Sequence, residues 1–396
     1  MTPAERRTSL SLAAIFALRM LGLFLVLPVF ALEAARYPGG DNPALVGLAM
    51  GVYGLTQALL QIPLGMASDR WGRKRVIQGG LALFALGSLL AAWAPTLEWL
   101  TAGRALQGAG AISAAVTAFI ADSTRDEVRT KAMALVGVSI ALMFALSLVL
   151  APILSAQIGL SGLFAITCGL ALTGMAVVAW VVPPEPTESR DPGRKGLAIV
   201  LADAGLARLN FGVFVLHAVQ LAMWVAVPAL LVKAGLEQAG HWKIYLTALV
   251  GSFLVMGGVL FRLERLGYLR AVFLISIALL LLVQGVFWWS TLSSVPSLTT
   301  LAIALFLFFL GFNTLEASQP SLASRLAPPD ARGAALGVYN TSQSIGFFVG
   351  GAAGGWIVSR AGAEGLFMAC SALILVWLVA AWSMRAPATV ATPSPA

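Results

Sequence analysis

Four ionisable residues, Arg19, Arg104, His217 and Glu316, lie inside long apolar stretches of this chain. A charge placed in the hydrocarbon of a bilayer costs several kcal/mol, so such groups tend to face a cavity and carry a task. Histidine titrates near neutrality, and a carboxyl group in apolar surroundings has its pKa raised toward the same range. His217 and Glu316 each lie some 12–14 Å from the same membrane face, counting roughly 1.5 Å per helical residue. Two titratable groups at one level suggest a proton-binding pair. The plainer alternatives are a hydrogen-bonded packing role for His217 and a fixed ion pair between Glu316 and Arg19. Other polar residues placed to meet a substrate are Gln57, Gln107, Asn210, Gln220, Asn313, Asn340 and Gln343. Amides inside spans also bridge helices as packing contacts.

Enzymatic chemistry finds little support. Only two histidines occur, His217 and His241, with no Gly-rich phosphate loop and no metal-ligand spacing. Cys168 and Cys370 both fall in apolar segments and form no disulfide framework. The chain is read as a non-enzyme with neither cofactor nor metal.

The elements that position these residues are membrane spans. Apolar residues make up 59% of the 396 and charged residues 11%, about half the charged fraction of a soluble domain. Runs of about twenty apolar residues cross a bilayer roughly 30 Å thick. Twelve are predicted: spans 1 to 12 at about 10–34, 43–66, 75–93, 97–121, 131–155, 161–184, 208–232, 243–261, 270–290, 299–323, 333–357 and 363–384. Pro28, Pro63, Pro152, Pro228 and Pro320 fall inside or near them, where neighbouring helices re-satisfy the backbone. The first run is too long for a signal-peptide core and is read as a retained span.

With Arg6 and Arg7 on the inside, 19 of the 25 Lys and Arg fall in inside segments, four outside (Arg36, Lys233, Lys243, Arg360) and two within spans. This positive-inside bias places both termini in the cytoplasm. It also accounts for the net charge of +8 without invoking nucleic acid. By default, Glu33 at the outer end of span 1 is expected to be exposed at the interface.

The chain repeats itself. Asp69-Arg70-Trp-Gly72-Arg73 is answered by Glu264-Arg265-Leu-Gly267, Glu127-Val-Arg129 by Asp330-Ala-Arg332, and Gly162-Leu-Phe164 by Gly365-Leu-Phe367. Six spans per half is an even number, so the halves are parallel repeats. The expected organisation is a six-helix bundle over 1–184, a Pro-rich charged cytoplasmic linker over 185–207, and a second bundle over 208–396. Beyond Met384 the tail is about a dozen residues, too short for a further domain. Gly346, Gly350 and Gly354, flanked by Gly351 and Gly355, make a smooth face on span 11.

Twelve spans in two halves, with Gly65-x-x-x-Asp69-Arg70-x-Gly72-Arg73-Lys74 between spans 2 and 3, resemble the major facilitator superfamily. Arg104-Ala-Leu-Gln107-Gly108-Ala-Gly110 looks like the span-4 signature of its proton-coupled drug-antiporter branch. Leu18-Arg19-Met-Leu-Gly22, Arg129-Thr-Lys-Ala-Met-Ala134, Gly137-Val-Ser-Ile140, Leu209-Asn-Phe-Gly212 and Gly337-Val-Tyr-Asn-Thr-Ser-Gln343 are similar to YajR-type members, though without their soluble C-terminal domain. Ala151-Pro152-Ile-Leu-Ser155 departs from the antiporters by lacking the glycines of their span-5 pattern.

The resemblance implies an all-α fold in which spans 1, 4, 7 and 10, each bearing one of the four intramembrane ionisable residues, line a central cavity. It implies a coupling role for Arg104 beside Glu316 and His217. Gly65, Asp69, Arg70, Gly72, Arg73 and Asp122 become a conformational switch, whose Asp69, Arg73 and Asp122 form a charge cluster against the N-terminal end of span 11. The function it implies is proton-coupled export of a small amphiphilic compound, by a monomer in the bacterial inner membrane. A symporter, a uniporter or a non-transporting receptor on the same scaffold is the alternative.

Overall fold

The computed structural model describes residues 1–185, 194–328 and 331–384. Within these residues all regular secondary structure is helical, and the helices make twelve crossings. Span 1 lies within the helix Pro3–Phe24, whose polar first turns precede the apolar run, and its continuation Leu27–Ala34, with Pro28 in the first turn of the second piece, where its missing N–H is harmless. Spans 2 and 3 are Pro43–Trp71 and Arg73–Ala92. Span 4 is broken into Leu97–Ala109 and Ser113–Asp122. Spans 5 and 6 run along Asp126–Trp180 and turn at Gly159.

Span 7 is Ala204–Lys233. Span 8 begins as His241–Val255 and passes through π-helical segments to Tyr268. Spans 9 and 10 are Leu269–Thr291 and Leu298–Leu326. Spans 11 and 12 run along Arg332–Trp382 and turn at Gly362. Pro63, Pro152, Pro228 and Pro320 all lie inside helices. The predicted linker differs in detail. It contains a helix, Arg194–Ala202, and span 7 starts just after it; residues 186–193 lie outside the described residues.

The backbone supports the internal repeat. All described glycines with positive φ fall into matched pairs: Gly39 and Gly235 at 88° and 86°, Gly72 and Gly267 at 95° and 90°, Gly159 and Gly362 at 63° and 67°. Each pair occupies the same loop of its half, and an L side chain is disfavoured at such angles. The 1–2 and 7–8 loops therefore repeat although their sequences do not.

Even numbers of crossings put the N-terminus, the 2–3 loop, the 4–5 loop and the 6–7 connection at one end, called the near end below. At the far end the halves are sealed. Span 2 lies on span 11 so closely that a Cβ on Gly47 would sit 2.3 Å from the Gly351 carbonyl, and one on Gly355 would sit 2.3 Å from that of Pro43. Small-residue faces permit such backbone approach without lipid between them. Among the described residues three hydrogen bonds join the halves, Gln57 to Ser344, Gln238 to Glu33 and Gln238 to Ser155. The first lies mid-span and the others at the far end.

Candidate functional site

In the second half, span 7 supplies His217, span 10 Glu316 and span 11 Gln343. His217 Nε2 is 3.3 Å from Glu316 Oε2. His217 Nδ1 lies 2.9 Å from the Val213 carbonyl one turn earlier. A carbonyl can only accept, so Nδ1 carries the proton and Nε2 presents a lone pair when the ring is neutral. The Gln343 amide donates to that lone pair at 2.6 Å and to Glu316 Oε1 at 3.5 Å. Phe312 and Phe347 meet the imidazole edge-on and confine it. His217 is buried, whereas the Glu316 side chain is 37% exposed despite its place in the middle of a span.

This arrangement has two protonation patterns. A neutral imidazole accepts from Gln343; a protonated one must donate from Nε2, and Glu316 is the acceptor within reach. Protonation of the imidazole would therefore break the Gln343 bond to Nε2, and Gln343 sits on the span that packs against the other half. Ser344 beside it donates to the Asn340 carbonyl and accepts from Gln57 of span 2 at 3.0 Å.

The first half answers with arginines. Arg19 is wholly buried and donates to Tyr53 Oη at 2.6 Å, Gln57 Oε1 at 3.0 Å and Ser113 Oγ at 3.4 Å. Arg104 is buried too, donating to Gln107 Oε1 at 2.9 Å and, weakly, to the Met50 carbonyl at 3.5 Å. Both guanidinium groups lie over the Tyr53 ring, at 5.9 and 4.9 Å from its centre, where the electron-rich face favours a cation. No described acid pairs with either. The alternative ion pair between Glu316 and Arg19 is thus not what the structure holds. Arg19 is committed to neutral groups within its own half, and Glu316 to His217.

The remaining candidates scatter. Gln107 donates to Ser88 and is buried as part of the Arg104 network. Asn313 donates to Ser252 at 3.0 Å, bridging spans 10 and 8 as a packing contact. Gln220 has an unpartnered carbonyl oxygen beside a water-sized void of about 10 Å³ lined by Met223, Trp224 and Phe308. Asn210 and Asn340 are half-buried, with no side-chain hydrogen bond among the described residues.

In the charged loop, Arg73 joins Asp69 at 2.5 Å and Asp122 at 3.0 Å and also donates to Ser68. Gly65 lets span 2 approach Ala114 of span 4, and Gly72 turns the chain at φ 95°. Arg70 is exposed and outside the cluster. The resemblance implied docking of this cluster on span 11, and no described bond makes that connection. Asp330 lies outside the described residues.

Several contacts escaped the sequence reading. Tyr53 is shared by both arginines. Glu185, assigned to the linker, accepts from the Arg73 and Lys74 backbone N–H groups at 2.7 Å each and caps span 3. Glu5 is paired with Arg125 at 2.9 Å, which with the Thr2 capping bond lowers its pKa to about 2. Glu33, expected to be exposed, is 3% exposed because the far-end seal covers it. Only the Thr2-x-x-Glu5 capping box had a local signature.

The description "Major Facilitator Superfamily" matches residues 12–312 and 262–396. The chain is 42% identical over 396 residues to the inner membrane transport protein YajR of Escherichia coli (strain K12), covering 99% of this chain and 86% of that protein. It is 27% identical to the multidrug resistance protein MdtH of Proteus mirabilis, covering 85% of this chain and 84% of that one. Among solved structures, the nucleoside transporter NupG (D323A mutant) superposes with a TM-score of 0.75 at 14% identity, over 94% of this chain and 98% of that one, which speaks to the fold alone. The chain belongs to the major facilitator superfamily and is a multi-pass inner-membrane transporter of the YajR type.

Proposed function

We propose that this transporter is proton-coupled and exports a small amphiphilic compound by rocking one six-helix half against the other, with 1–184 and 208–396 as the moving units. The observation that carries the reading is the His217–Glu316–Gln343 cluster. It can hold a proton at mid-membrane, and its third member sits on the helix that forms the seam between the halves. A proton entering the pair turns His217 Nε2 from acceptor to donor and breaks its bond from Gln343, changing what span 11 can bond. The membrane potential supplies about 2.3 kcal/mol per charge per 100 mV, enough to bias such a switch.

The partly exposed Glu316 carboxylate, the Phe312 and Phe347 rings and the neutral amides around them suit an amphiphile better than a polyanion. The relative named for multidrug resistance favours efflux. On the positive-inside reading the near end is cytoplasmic, which would put the far-end seal on the outside, as in a state that loads an export substrate. The charged loop is then the counterpart latch, with Asp69, Arg73 and Asp122 preassembled to engage span 11 when that end closes.

The test is flux in proteoliposomes across a panel of amphiphiles, with an imposed pH gradient. Wild type should move substrate and protons in opposite directions. Glu316→Gln and His217→Ala should each lose gradient-driven flux while retaining substrate exchange at equal pH. Unchanged proton-driven flux in both variants removes the pair from the mechanism. Co-directional movement points instead to a symporter, and ligand binding without flux to a receptor.

A further inference from the structure

We infer that Glu33 is the latch of the far-end mouth: its carboxylate, with Ser155, grips the side-chain amide of Gln238 and holds the two halves together on the side away from the termini. The inference rests on the rocking motion proposed above but not on its proton coupling.

Glu33 ends span 1, and Ser155 lies near the end of span 5; both belong to the first half. Gln238 opens the short turn before span 8 and belongs to the second. Gln238 Nε2 donates to Glu33 Oε1 at 2.8 Å and to Ser155 Oγ at 3.1 Å, so one amide of one half is held by two acceptors of the other. Ser155 can play this part because its own hydrogen is turned back to the Pro152 carbonyl. The second carboxylate oxygen of Glu33 is engaged by Arg36 at 3.2 Å.

Burial distinguishes this contact from an ordinary surface bond. Glu33 is nearly inaccessible, whereas Arg36 is 68% exposed, so the arginine is a hydrated neighbour and Gln238 the buried partner. A buried carboxylate without its donor is far costlier than an exposed one. Opening the far end separates spans 1 and 5 from the turn before span 8. It must therefore break both bonds at once and return Glu33 to water. Gly235, at φ 86° three residues earlier, sets the turn that aims Gln238 back across the seam.

The test exchanges the partners. In a background of Cys168→Ala and Cys370→Ala, spin labels are attached at Asp41→Cys and Ser294→Cys, exposed positions of the two halves at the far end. Pulsed electron-spin distances are recorded without substrate or pH gradient. Gln238→Glu places two carboxylates face to face and should raise the ratio of open to closed populations at least about tenfold. Adding Glu33→Gln rebuilds the carboxylate–amide pair with roles reversed and should return the ratio to within about twofold of wild type. Glu33→Ala, which adds no charge, should shift the ratio in the same direction but less.

Unchanged distances in monodisperse Gln238→Glu and Glu33→Ala proteins overturn the latch. So does a double variant that stays as open as Gln238→Glu alone. If the distances respond as expected while proton-driven flux is absent in wild type, the latch stands and the proton-coupling proposal falls.

Discussion

The two halves share a backbone plan and differ in how they hold charge. In the first half every interior charge is pinned. Arg19 and Arg104 are guanidinium groups bonded within their own half, and at its near end Asp69 and Asp122 are tied to one arginine. In the second half the interior charges are a histidine and a carboxyl in contact, with the carboxyl partly exposed. One half is an electrostatic frame; the other holds the pair to which the proposed function assigns proton exchange.

Glu316→Gln should produce the largest effect by removing the only carboxyl of the mid-membrane cluster. Gradient-driven flux is expected to fall at least about tenfold, equivalent to about 1.4 kcal/mol of lost coupling. Thermal stability should barely move, because the substituted side chain can still accept from Gln343. A matching loss of flux in Arg19→Lys with Glu316 intact would break the comparison, since it would assign coupling to the frame.

Arg19→Met ranks next, and its readout is stability. It strands Tyr53, Gln57 and Ser113, which Arg19 now satisfies, and unsatisfied buried polar groups cost about 1–3 kcal/mol each. A melting point lowered by several degrees in detergent is expected. Arg104→Met should cost less than Arg19→Met, because it strands one well-bonded acceptor, Gln107, where Arg19 satisfies three groups, and an apolar isostere relieves its desolvation. Equal losses in the two variants would mean that the arginines are not held by the contacts described.

What could be read from the sequence follows the range of the interactions. Apolar runs gave twelve spans, because hydropathy is a local property. The repeat was visible at Gly72 and Gly267, where flanking residues match. It was hidden at Gly39 and Gly235, where only the backbone angle does. The break in span 4 went unread. Gly110 occurs inside an apolar run, and only the approach of the Gly80 carbonyl, 2.3 Å from where a Cβ would be, shows why it interrupts the helix. His217 and Glu316 were paired by depth alone, yet Gln343 could not be singled out among seven candidate amides, since nothing in its neighbourhood names a partner 126 residues away. Glu33 was misjudged for the same reason: the seal that buries it is made by the other half.

The smallest expected effect extends the contrast to a carboxylate at the near end. Glu5 is held ionised by Arg125, which bonds its carboxylate through side chain and backbone, and by the Thr2 backbone N–H; these lower its pKa from 4.5 to about 2. A carboxyl with a depressed folded-state pKa adds stability that is fully present above 4.5. That contribution is lost as pH falls toward about 2. The Arg125 guanidinium is largely exposed, so solvent screens the pair and the effect is small. Glu5→Gln should therefore melt slightly below wild type at neutral pH, and the two curves should converge as pH is lowered through that window. Glu316→Gln should show the opposite signature, leaving melting almost unchanged while removing the pH dependence of flux. Melting curves that stay apart at low pH would show that Glu5 contributes through packing and not charge, and the first half would lose one of the pinned carboxylates on which the comparison rests.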